Sequence, residues 1–172
     1  MAFGVQNTMI RFYSKYTTAT ERDHFLSFML LMPLFLIIPI TTITYFFYDQ
    51  IAFLILQKNP EVKPFLWLIP VIGICMGYFE VYYAWVKVHM QSVVGNFISE
   101  VLVRTIIFCR LFSVHWNWLS KDGFIYALFG AYFLQFVAMK SYAIYVKRPI
   151  LSFKIPANVN AIFGYSFFII LS

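Results

Sequence analysis

The chain has 172 residues, of which 62% are hydrophobic, 22% aromatic and 12% charged, with net charge +6 and mean hydropathy +0.77. A soluble domain carries roughly 25% charged residues, so half that share excludes a soluble globule of this size. The excess of basic residues does not indicate a nucleic-acid partner either, because Lys and Arg form no dense block interleaved with stacking aromatics.

Membrane placement accounts for both features. A span needs about 20 mostly apolar residues, since the hydrocarbon core is about 30 Å thick and a helix rises about 1.5 Å per residue. The expected fold is therefore all-α: a polytopic membrane protein of about four transmembrane helices, three if the third lies at the interface, bent by prolines. Three regions are expected: a basic, hydroxyl-rich segment at 1–24, a transmembrane helical domain at 25–148, and a basic turn with a short apolar segment at 149–172.

Residues 1–24 carry Arg11, Lys15 and Arg22 among several Thr and Ser, with no acid before Glu21. That is the composition of a mitochondrial transit peptide. The run Arg11-Phe12-Tyr13-Ser14 resembles the Arg-x-Tyr-Ser pattern at which mitochondrial presequences are cut. An ordinary basic flank before a first span accounts for the composition equally well. If the segment addresses the chain to mitochondria, the expectation is that it does so uncleaved. A secretory signal fits poorly, because the apolar run that follows is too long and ends in aromatics.

The first span is expected at 25–48, bent at Pro33 and Pro39, with Thr41, Thr42 and Thr44 returning hydroxyls to carbonyls that the prolines free. The run 51–56 is too short to cross, and either extends that helix or lies along the interface. Residues 57–64 read as a turn and 65–86 as the second span. Gly73 and Gly77 sit four residues apart there, a spacing that lets another helix approach closely. The third span, 97–119, carries Glu100, Arg104 and Arg110, so it either crosses inside a protein environment or lies amphipathically at the surface. The fourth runs over 124–146 and ends at the basic stop Lys147, Arg148 and Lys154. The apolar tail 161–171 is about half a span long.

Charges inside spans are the candidate functional residues of a membrane protein. Glu80 lies seven residues before the basic end of its span, Lys140 seven before Lys147, and Arg104 seven after residue 97. All three then sit about 10 Å inside the same face. Glu100 is one turn from Arg104, a favourable pair. The expectation is one neutral ionic cluster of Glu80, Glu100, Arg104 and Lys140, which sets helix register, conducts a proton or ion, or holds an acidic lipid headgroup. Arg110 lies deeper, with no acid at its depth and Asp49 the nearest guess. A partner on another subunit, a lipid phosphate or water is expected to meet it. Lys147, Arg148 and Lys154 are expected to contact a partner or anionic phospholipid such as cardiolipin.

Cys75 and Cys109 read as two buried thiols, and neither they nor the three histidines have metal-ligand spacing. No Gly-x-Ser-x-Gly, His-Glu-x-x-His or phosphate-binding glycine loop occurs. The functional expectation is a non-catalytic accessory subunit, without cofactor, of a larger membrane complex. Its address is the mitochondrial inner membrane, its host a respiratory or ATP-synthase assembly, and its termini face the matrix by the bias of basic residues. Two rivals are a small transporter or channel component, and a lipid-handling enzyme of the endoplasmic reticulum.

Overall fold

The computed structural model describes residues 4–57, 60–116, 121–150, 156 and 158–171. Among these the regular elements are helices, without a strand, and four are long and apolar enough to cross a bilayer.

Helix α1, Val5–Tyr13, places Val5, Thr8, Met9 and Phe12 on one buried stripe, while Asn7, Ile10 and Arg11 face outward. The spacing is that of an amphipathic helix. Thr18 then opens α2, Ala19–Phe46: its hydroxyl accepts from the Glu21 amide at 3.3 Å, and the Glu21 carboxylate accepts from the Thr18 amide at 3.4 Å. This reciprocal cap satisfies two amides that the helix cannot.

Helix α2 continues through Pro33 and Pro39. The Thr42 and Thr44 hydroxyls donate to the carbonyls of Ile38 and Ile40, each at 2.8 Å. Those carbonyls are not the ones the prolines free, which belong to residues four earlier, Met29 and Phe35. The expected repair by threonine is thus corrected to ordinary back-bonding within the same helix.

Helix α3, Tyr48–Leu56, is separate and has no buried residue. A 3-10 turn over Pro60–Phe65 leads to α4, Leu68–Val88. After Met90, at φ 62°, the chain turns back through α5, Ser92–Asn96, a π-helical stretch at Phe97–Leu102, and α6, Val103–His115. These three form the third span, apolar enough to cross over Ser92–Ser113. It begins five residues earlier than expected. Helix α7, Lys121–Val146, is the fourth span and α8, Val159–Leu171, the short apolar tail.

The register of α4 and α7 follows from their ring contacts. Phe65 meets Tyr126, Trp67 meets Phe129, and Tyr82 meets Phe136. The two helices therefore run parallel, as the second and fourth spans of an up-and-down chain must. At the other end of the bundle Asp23, before the apolar part of α2, pairs with Lys147, just after α7.

The core sits at that basic end. Val5, Met9 and Phe12 of α1 join Phe25, Leu26 and Met29 of α2, Val81, Ala84 and Trp85 of α4, and Ile162 of α8. Val5–Tyr13, within the segment of presequence-like composition, is therefore an integral core helix, closing one end of the bundle.

Candidate intramembrane interaction site

Two sets of contacts organise the charged and polar groups. The first holds the basic end together. The Thr8 hydroxyl bonds the Gly4 carbonyl at 2.8 Å and the Ser166 hydroxyl at 2.7 Å, tying α1 to α8. Arg22 Nε donates to the Tyr16 carbonyl at 2.8 Å. Cations here lie over rings: Arg11 over Tyr165 at 4.2 Å, Lys15 over Phe12 at 4.3 Å, and Lys87 over Tyr83 at 4.1 Å. Burial, with the Glu21 carboxylate adding to it, pushes the Tyr16 hydroxyl above its ordinary titration range, so it stays protonated. Lys147 pairs with Asp23, and the Ser27 hydroxyl joins the carbonyls of Asp23 and Ile150. Lys147 is thereby corrected from an outward lipid or partner contact to an internal tie. Arg148 is exposed, and Lys154 lies outside the described residues.

The second set is on the third span. Arg104 Nη2 donates to Glu100 Oε2 at 2.6 Å, with the two side chains 80% and 59% exposed. Among the described residues the ion pairs are this one and Lys147–Asp23. Glu80 is half-buried on α4, and Lys140 is exposed on α7 with its Nζ 5.9 Å from the Phe136 ring centre. The four-residue cluster is thus reduced to its local i,i+4 pair, because Glu100 and Arg104 point away from the bundle. The side chain of Arg110, and with it the Asp49 pairing, lies outside the described residues; Asp49 itself is exposed.

The earlier start of the third span also changes depth. Arg104 is twelve residues past Ser92 and nine before Ser113. That is about 18 Å and about 13 Å along the helix, close to its middle rather than near one face. Of the four spans this one is the least covered by the rest of the chain.

Glycines behave differently from expectation. A methyl group added at Gly73 or Gly77 would meet nothing within 4 Å, so neither brings a helix of this chain close. Gly73 instead opens on an apolar groove that Ile37, Thr41 and Thr44 of α2 line. The close approaches are at Gly4, φ 70°, where a methyl would lie 2.8 Å from the Ser166 carbonyl oxygen, and at Gly95, 2.8 Å from the Tyr83 ring. Gly4→Ala is expected to lower stability by about 1–3 kcal/mol through left-handed strain and contact with backbone. Gly95→Ala is expected to cost a similar amount, about 1–3 kcal/mol, unless the Tyr83 ring gives way. Gly73→Ala and Gly77→Ala should stay within about 0.5 kcal/mol of the parent. Unfolding midpoints of the four purified variants in detergent would order them, and a drop for Gly73→Ala matching that for Gly4→Ala would contradict the assignment.

Cys75 is buried but Cys109 is exposed, which corrects the expected pair of buried thiols; both are free. Among the described residues no three His, Cys, Asp or Glu side chains group as metal ligands would. Compared with known protein families, curated proteins and solved structures, the chain matches none.

Proposed function

We propose that this chain is a non-catalytic accessory subunit of a larger membrane protein complex, packing its spans against helices of other subunits. The observation that carries the reading is Arg104, 80% exposed near the middle of a span that the rest of the chain barely covers. A guanidinium facing acyl chains at that depth costs at least about 2.5–3.5 kcal/mol, and its bond to Glu100 leaves most of its donors free. Neighbouring protein removes that cost. The exposed rings along the second half of α2 and on α3, among them Phe35, Phe46 and Phe53, suit acyl chains.

The address we infer is the mitochondrial inner membrane, in a respiratory or ATP-synthase assembly, with both termini on the matrix side. It rests on the acid-poor composition of 1–24 and on the gathering of Arg11, Lys15, Arg22, Lys87 and Arg148 at one end of the bundle. Anionic phospholipid such as cardiolipin suits that end, where Arg148 is exposed. Purification in a mild detergent followed by native mass measurement tests the central part. A particle several times heavier than the 20.3 kDa chain, with other polypeptides in it, is expected. A lone chain in detergent would contradict it. Fractionation of the tagged chain away from mitochondria would contradict the address alone.

A further inference from the structure

We propose that one face of the third span docks a single transmembrane helix of a different polypeptide, which presents a neutral hydrogen-bond acceptor opposite Arg104. The face is the stripe Val93, Phe97, Glu100, Arg104, Phe108 and Leu111. This inference rests on the subunit reading and names the surface that reading requires.

The stripe is defined by spacing and by exposure together. From Glu100 on, the intervals are four, four and three residues, the spacing of one α-helical face, and Val93 and Phe97 join that face by their exposure across the π-helical stretch. Each member is more than half exposed, whereas the flanking Val94, Val101 and Phe112 are less so. Among the span's described residues Gly95 and Ile98 are the buried ones and face the bundle, Gly95 against Tyr83. The seam therefore lies apart from the contact that the chain uses for its own packing. It passes through a π-helical stretch, a winding that recurs where a helix carries function.

The ion pair identifies the kind of occupant. Acyl chains offer the guanidinium no acceptor. Lipid phosphates lie beyond the helix ends, about 13 Å or more along the axis from Arg104, farther than an arginine side chain bridges. A protein segment at that depth must satisfy its own backbone, so it is a helix. Arg104 and Glu100 already cancel, so the complement is neutral: an Asn, Gln or hydroxyl side chain, or the carbonyl of a helix break. A second copy of this chain related by a two-fold axis along the membrane normal fits badly. It would bring Arg104 against Arg104 at one depth. Apolar ridges at Phe97 and Phe108 on either side of the charged pair supply the packing that membrane helices rely on.

A photo-crosslinking phenylalanine analogue at position 97 or 108 of the full chain, in native membranes, reads the surface directly. Positions 35 on α2 and 167 on α8, also exposed, serve as comparison faces. The expected result is an adduct with one other polypeptide from 97 and 108, several-fold above 35 and 167. The charge-free double variant Glu100→Leu with Arg104→Leu should insert normally yet lower that adduct by about five- to tenfold. An adduct of twice the chain's mass would overturn the choice of a different polypeptide. Equal yields from all four positions, or an unchanged yield in the double variant, would overturn the seam. Absence of a protein adduct at 97 and 108 while native mass still shows a complex would overturn this surface and leave the subunit reading standing. A chain that runs alone in native mass would remove both.

Discussion

A chain shortened to begin at Ser14 is expected not to reach the folded state. The truncation takes away α1, whose Val5, Thr8 and Met9 are fully buried and whose Phe12 is nearly so. Each apolar side chain contributes about 1.5–3 kcal/mol by burial, so their joint loss is several kcal/mol. That is comparable to the whole margin of a small domain, about 5–15 kcal/mol. The same cut bares Trp85, Val86 and Ile162, which now share a core with α1. A single substitution, Met9→Ala, should cost about 2–5 kcal/mol and lower the unfolding midpoint without abolishing the fold. Expression level, resistance to protease and unfolding midpoint of the two variants check this. A truncated chain as protease-resistant as the parent would contradict the core position of α1. The Arg11-Phe12-Tyr13-Ser14 run lies at the end of this helix, so cutting there would dismantle the core it resembles a signal for leaving.

Lys147→Ala is expected to cost about 1.5–3 kcal/mol, because it leaves the Asp23 carboxylate, only 16% exposed, without its cation. Arg148→Ala, one residue on but exposed, should change stability by less than about 0.5 kcal/mol. Exchanging the two charges, Asp23→Lys with Lys147→Asp, should recover at least about half of the loss, since the coupling belongs to the pair. The pair joins the first span to the end of the fourth, so the single variant should also loosen the basic end to hydrogen exchange around Ser27 and Ile150. Equal effects of Lys147→Ala and Arg148→Ala would show that the tie is not what holds these ends.

The parts of the fold that follow from short-range pattern were readable in the sequence. Apolar runs long enough to cross a bilayer, interrupted by single charges in the later three, located the four spans, the third five residues late, and Glu100 and Arg104 one turn apart announced their own bond. What could not be read depends on which elements meet. Asp23 and Lys147 lie 124 residues apart, and nothing local distinguishes Lys147 from Arg148 as the paired cation. Gly4 and Gly95 lack any motif; their close contacts come from α8 and α4 packing on them. Gly73 and Gly77 have the motif and lack the neighbour within the chain. Helix α1 carries its apolar stripe plainly at 5, 9 and 12, but the basic and hydroxyl residues around it made the region read as a polar flank. The cluster of four charges failed at the same step. Equal depth brought Glu80, Arg104 and Lys140 together on paper, while facing direction, set by how the third span packs, turned Arg104 outward.

Side-selective labelling of single cysteines in sealed vesicles tests the four-span arrangement on which the interaction surface depends. With Cys75 and Cys109 replaced, cysteines at Ser14, Gln91 and Arg148 should react from one side of the membrane, and a cysteine at Glu61 from the other. Labelling of the Arg148 position from the side of Glu61 would mean that the stretch bearing Glu100 and Arg104 does not cross, and the account of its exposed charge pair would be wrong.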